Sequence, residues 1–405
     1  MTRPQSTTYE AGPPAFCPNR ECSFHQREIA EKTDWFDHFG SFPTKSRGNI
    51  ARFRCKSCRK TCSTQTFSIH YWTHSDVDLM ALDDRLYACS GYRQIGRDMG
   101  LSLPVIVNRA MRISRNYLNL YGAVLESVSI NEDLAFDGFE SYTRSQYFPN
   151  NFNILVGKES QAVYMMDLTL LRRKGRMTAT QKANRKLIDA VWKPARKALV
   201  KDCKIIFHEL ARLVLRRNIS TPLVLATDMK KEYVTAIEED SLMHQLVMHG
   251  LVTHCTVDSR AKRTKDLPIS AVNYVDREIR KNSAAHVRET VRQDREVNMA
   301  NERMIITLAH HSFRKPFRID NRKNIEEAVT HAEVAGFMKS AEARQAFEEL
   351  YTHRHLWSQQ TYQAKWVERA WKREMVNPKR VDFKTEETPE KYQAGSVRRA
   401  HHFLV

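Results

Sequence analysis

The chain has 405 residues, enough for two or three domains with at least one sizeable core. Its 65 Lys and Arg outnumber 47 Asp and Glu, giving a net charge of +18 and a pI of about 9.6, which favours a polyanionic partner, nucleic acid foremost. No stretch of 18 apolar residues and no basic-then-apolar leader is present, which argues against a membrane protein or a secreted one, so a cytoplasmic protein is expected.

Residues 1–12 are polar and aperiodic, and residues 13–75 hold five of the eight cysteines. A disulfide scaffold would be short and secreted, so this local clustering points to metal. "CPNREC" supplies Cys17 and Cys22, and "FRCKSC" supplies Cys55 and Cys58. Thiolates on two separate turns suit four-coordinate zinc, and four protein ligands leave no open position, so the role is structural: a zinc ribbon. Cys62 is assigned to packing under the metal turn, and His25 is the alternative ligand to Cys22. Four buried, unligated thiols are the plainer alternative.

Residues 76–122 have apolar positions at helical spacing. "YRQIGRDMGLSLPVIVNRAMRISR" is a helix, a turn at Gly100 and a second helix, with Ser102 as cap and Pro104 in the first turn. This fits a helix-turn-helix with Asn108, Arg109, Arg112 and Arg115 on or near the DNA-facing side, although any helical hairpin can produce the pattern.

"DLAFDGFESY", "NFNILVG" and "QAVYMMDLTL" read as three strands of a meander. Residues 180–217 are helical; "PLVLATD" is a fourth strand, 230–248 a helix, and "LVTHCTV" a fifth strand. A basic loop then leads to a helix beginning near Val272, and from about 303 the chain is helical before a polar tail. The order β-β-β-α-β-α-β-α places Asp137 in the first strand and Asp228 at the end of the fourth. A helix cap is the plainer reading of Asp228. If the two strands are neighbours, the carboxylates converge, and about 4 kcal/mol of repulsion at 4 Å disappears once a divalent cation bridges them. Oxygen ligands select Mg²⁺ or Mn²⁺. "VNYVDREIRK" offers Asp276 or Glu278 as a third acid, about 200° apart around a helix so that only one faces the sheet. Asp276 is preferred; Glu302 is a more distant candidate.

These residues together resemble a bacterial insertion-sequence transposase: the "CPNREC…FRCKSC" ribbon, a helix-turn-helix, then acids at "LAFDGF", "LATDMK" and "NYVDRE". The resemblance covers about residues 15–315. It implies a ribonuclease H-like DDE/DDD domain, so the expected fold is a multidomain α+β or α/β chain. Its parts are a ribbon (13–75), a helix-turn-helix region (76–125), a mixed five-stranded sheet with flanking helices (130–315) and a helical extension with polar tail (316–405). In such transposases the third acid is usually glutamate; the aspartate at 276 departs from that pattern and keeps Glu278 in play. The resemblance implies that Asp137, Asp228 and the third acid hold two divalent ions that clamp an in-line displacement at phosphorus. It also implies binding to the element's ends and to target DNA, strand cleavage followed by strand transfer, and a homo-oligomer in the active complex. The basic runs 172–176, 259–265 and 277–281, the last containing Arg277, Arg280 and Lys281, would hold phosphates. The alternatives are a DNA-binding regulator without catalysis and a metal-dependent nuclease or resolvase using the same acids.

Overall fold

The computed structural model describes residues 14–354, apart from 46, 218–220, 259, 263, 288–289, 291 and 319–327. The polar tail expected after about 376 lies outside the described residues. After Cys22 come one 3-10 turn and a short helix, α1 (Arg27–Ala30). Three antiparallel strands follow, β1 (Phe36–Thr44), β2 (Gly48–Cys55) and β3 (Thr61–Ser63), in the order β1-β2-β3. Phe16, Trp35 and Phe53 pack with the cysteines into a small core of their own, too small to stabilise much chain without a further constraint.

Next come α2 (Leu79–Tyr87), capped by Asp78, then α3 (Tyr92–Asp98) and α4 (Leu103–Ser127). Pro104 occupies the first turn of α4 as expected, while Ser102 makes no side-chain cap. The turn between α3 and α4 is tight: a Cβ on Gly96 would lie 2.7 Å from the Leu101 carbonyl oxygen. Helix α4 is buried along most of its length and on nearly every side, as a helix at the centre of a bundle must be.

The second sheet contains β4 (Leu134–Tyr142), β5 (Pro149–Gly157), β6 (Val163–Leu170), β7 (Leu223–Asp228) and β8 (Val252–Val257), in the order β6-β5-β4-β7-β8. The first three form an antiparallel meander, and β7 and β8 add in parallel beside β4. β5 and β6 are buried on both faces along nearly their whole length, whereas β8, at the opposite edge, is largely half-buried or exposed. Between β6 and β7 lie α5 (Ala179–Val191) and α6 (Ala198–Leu215). The stretch expected as one helix at 230–248 is two, α7 (Lys231–Glu239) and α8 (Ser241–Met248), because Asp240 leaves helical geometry and caps α8 through the Met243 N–H. After β8 come α9 (Ser270–Asn282), α10 (Val297–Phe313), α11 (His331–Val334) and α12 (Ala341–Glu348).

The expected boundaries at 125–130 and 316 do not separate hydrophobic cores. One cluster runs from Ile69 to Tyr351 and joins α2–α4, the second sheet and α10–α12. A buried polar hub reinforces the joint: Tyr117, Tyr351 and Arg314 all converge on the Asp83 carboxylate. The chain is thus a mixed α/β structure with a small cysteine-bearing sheet and a five-stranded mixed sheet.

Candidate metal centre and active site

The four cysteines meet as their spacing suggests. Cys17 Sγ lies 3.6 Å from Cys58 Sγ, Cys22 Sγ lies 3.7 Å from Cys55 Sγ, and all four sulfurs are within 4.8 Å of one another. A zinc–sulfur bond of about 2.3 Å sets tetrahedral edges of roughly 3.8 Å, so the cluster is compatible with structural zinc. Burial pushes the Cys17 and Cys55 thiols up, with neighbouring sulfurs adding to the effect, whereas at Cys58 burial is outweighed by hydrogen bonds, that of the Lys60 backbone foremost, which bring its thiol down to about 7. His25 is not a ligand: its Nδ1 lies 2.6 Å from the Cys17 carbonyl oxygen and its ring packs edge-on against Phe16. Cys62 is buried in the same small core opposite Phe53, its thiol pushed up to about 12 by burial, and stands outside the four-sulfur group.

The two strand acids also meet. Phe136 of β4 pairs with Thr227 of β7 in parallel register, so the next rung carries Asp137 and Asp228 on strands about 4.8 Å apart. Burial raises the Asp137 carboxyl above its usual range, and the Asp228 charge raises it further. Against this, Asp137 Oδ1 accepts from the Gly138 N–H at 2.6 Å and from the Tyr233 hydroxyl at 3.3 Å. Burial pushes the Tyr233 phenol up, so it remains a donor. Lys230 Nζ lies 3.3 Å from the Tyr233 oxygen and 3.9 Å from Glu140 Oε1. Asp228 is no helix cap: its Oδ1 accepts from the Lys230 N–H at 2.9 Å, closing a turn before α7. Behind it the Thr227 hydroxyl is 2.9 Å from His254 Nε2 on β8.

Gly138, Lys230, Tyr233 and His254 surround the acid pair and were not assigned from the sequence. Gly138 is needed because a Cβ there would lie 2.0 Å from Asn151 Nδ2, and Asn151 is fully buried. A signal for Lys230 and Tyr233 was available, since they lie between the strand end at Asp228 and the first turn of the helix that follows it.

The third-acid candidates separate. Asp276 is buried on α9, with Arg280 Nη2 3.8 Å away, and the Arg280 guanidinium lies over the ring of Phe139, two residues beyond Asp137 on β4. Glu278 turns to the other flank. There burial pushes it up, but Lys315, with help from Asn282, more than offsets that and holds it below the usual carboxylate range. Glu302 is fully buried on α10, where its charge favours that of Arg115 rather than joining the sheet acids. Among the described residues the four cysteines are the one group of three or more His, Cys, Asp or Glu with ligand atoms all within 4.8 Å, so Asp276 does not close a three-carboxylate cluster with the pair.

The arginines expected to face DNA from α4 do not. Arg109, Arg112 and Arg115 are 3%, 6% and 5% exposed. Arg112 donates to the Ile69 and Tyr71 carbonyls and to Asn108 Oδ1, and Arg109 donates to the Ser75 carbonyl at 2.9 Å. They fasten the segment after the ribbon to α4, because its carbonyls lack a sheet or helix partner there. Arg277, Arg280 and Lys281 remain exposed. Among the described residues no helix is long and apolar enough to cross a membrane.

Compared with family models and with curated proteins, the chain matches none.

Proposed function

We propose that the chain is a DNA transposase with a ribonuclease H-like catalytic domain, cleaving and rejoining phosphodiesters with divalent metal at Asp137 and Asp228. The observation that carries this reading is that two acids fall on the same rung of adjacent strands β4 and β7, just past Phe136 and Thr227, where the charge of Asp228 adds to burial in raising the pKa of Asp137. Open α/β sheets bind ligands at the carboxyl ends of their parallel strands, and Asp228 is the last residue of β7. The donor set fits Mg²⁺ or Mn²⁺, which need only one or two carboxylates alongside water and substrate phosphates. Asp137 and Asp228 would hold the ion, with Asp276 as the preferred candidate for a third ligand. Bound there, the metal would activate water or a 3′-hydroxyl and polarise the phosphate under attack.

The chain's own groups do the rest. Tyr233 and the Gly138 N–H fix one Asp137 oxygen and leave the other for a ligand. The Lys230 N–H fixes Asp228 in the same way, and the Lys230 ammonium offers charge to a phosphate beside the pair. Exposed Arg277, Arg280 and Lys281 extend that positive surface along α9. The four-cysteine module would hold Zn²⁺ as a folding constraint.

The test is cleavage of labelled duplex taken from the DNA flanking its own gene, with magnesium and a plasmid target. Wild type cuts and joins, Asp137→Asn and Asp228→Asn do neither, and full activity in either variant removes the catalytic reading. One observation favours a second reading, a metal-dependent nuclease that cuts and never joins. With Arg109, Arg112 and Arg115 turned inward, the support for end recognition by α4 is weaker. Cleavage without plasmid joining would select it.

A further inference from the structure

The loop after β6 and the turn between α5 and α6 wall a cleft of about 900 Å³ that opens beside Lys230 and Glu140. Pro194 stands in that turn, and Lys197 enters α6 in the left-handed conformation, so the segment "WKPARK" is folded back toward the loop. Arg172, Arg173, Lys174, Lys193, Arg196 and Lys197 line the cleft, against the carboxylates of Glu140 and Glu232. Two of the six cations are already engaged, Arg172 with Asp189 at 2.7 Å and Lys197 with Glu239 at 2.9 Å. Arg173, Lys174, Lys193 and Arg196 have no carboxylate partner among the described residues, and the Arg173 Nε is buried with no acceptor. Four unmatched cations in one concavity repel one another and call for a polyanion.

We infer that this cleft binds the sugar–phosphate backbone of the nucleic-acid strand that leads to the acid pair, a site distinct from the metal ligands. The inference rests on the catalytic reading for what lies at the end of that path. Two features select a chain of phosphates over a single one. The cations are spread over two segments of the cleft wall, 172–174 and 193–197, which suits successive phosphates better than one. The cleft's edge also stands close to the acid pair: Lys230, which lines it, contacts the Tyr233 hydroxyl, and that hydroxyl donates to Asp137. A concave wall further suits a strand better than a flat anionic membrane.

The experiment measures binding on the full chain, without cleavage, by fluorescence anisotropy in EDTA-free, magnesium-free buffer across a salt series. The probes are a labelled 30-mer duplex and its single strand, with vesicles of phosphatidylserine and phosphatidylcholine as the competing anion. The variant is Lys193→Glu with Arg196→Glu; Lys193→Gln with Arg196→Gln keeps the size without the reversal. Lys339→Glu, an exposed site at the other end of β6, controls for net charge. The cleft variants should bind the oligonucleotides at least tenfold more weakly, with the slope of log K against log salt shallower by about 2, since each lost phosphate contact removes about 0.9. Their melting temperatures should match wild type. Unchanged affinity and slope in both double variants overturn the inference, as does an equal loss in Lys339→Glu or a wild type that binds only the vesicles. None of those results touches the Asp137→Asn and Asp228→Asn cleavage test, so the two readings fail separately.

Discussion

Replacing Asp137 by Asn should make the metal-free protein more stable. The asparagine keeps an oxygen for the Gly138 N–H and the Tyr233 hydroxyl and removes only the charge. Two carboxylates about 5 Å apart repel by about 3 kcal/mol at an effective dielectric near 20. Solvent at the strand ends and the nearby Lys230 reduce that to about 1–2 kcal/mol, a rise of about 1–3 °C in melting temperature for a core of this size. The pH dependence gives the sign independently. Asp137 has its folded pKa raised above the unfolded value of 3.8, so the folded state binds the extra proton. Stability is therefore lost as pH rises from 3.8 through the folded value, and the deficit is full at neutrality. The advantage of Asp137→Asn should be present at pH 7.5 and vanish towards pH 4. Scanning calorimetry in chelator and in 10 mM Mg²⁺ tests both halves, because magnesium should stabilise wild type and leave the variant nearly unmoved. A variant less stable than wild type at pH 7.5, or one that magnesium stabilises equally, refutes the reasoning.

Other expectations are more compact. Cys55→Ser should drop the zinc content from about one per chain to near zero and unfold the ribbon, read by elemental analysis and circular dichroism; full zinc retention would contradict the four-sulfur site. Arg112→Met should cost about 2–4 kcal/mol by stranding the Ile69 and Tyr71 carbonyls, while DNA affinity per folded molecule stays the same. A DNA-contacting arginine would behave in the opposite way. Gly138→Ala should destabilise by about 1–3 kcal/mol in a urea titration, since Asn151 is buried and bonded to Asn153 and cannot yield to the new methyl. Among the third-acid candidates, Asp276→Asn should abolish cleavage at unchanged stability, whereas Glu278→Gln and Glu302→Gln should lower the melting temperature; cleavage by Asp276→Asn at the wild-type rate would exclude it.

Much of the fold was legible because it is written in local pattern. The knuckle spacing carried Cys17, Cys22, Cys55 and Cys58, and five apolar runs fell on β4–β8 with Asp137 and Asp228 within them. What stayed hidden depends on partners distant in the chain. Arg109, Arg112 and Arg115 form a basic stripe that looks the same in sequence whether it faces solvent or, as Arg109 and Arg112 do, ties down carbonyls 34 to 43 residues earlier. Helices α10–α12 read as an appendage, yet they complete the core around α4, with Asn116 donating to the Leu350 and His353 carbonyls. Choosing between Asp276 and Glu278 likewise required knowing where Lys315 lies, 37 residues beyond Glu278.

One electrostatic rule sorts the charged residues that the sequence left ambiguous. A charge taken out of water is normally met by an opposite charge or by several dipoles. Arg109 and Arg112 have carbonyl oxygens, Glu278 has Lys315, and Glu302 acts on Arg115. Each of these is explained by folding alone. Asp137 departs from the rule: its strongest charged neighbour is another acid, at a place where Asn would keep the same hydrogen bonds at lower cost. Stability gives no reason for that pair. A divalent cation and the phosphate it carries do, because they turn the repulsion between residues 137 and 228 into the attraction that binds them.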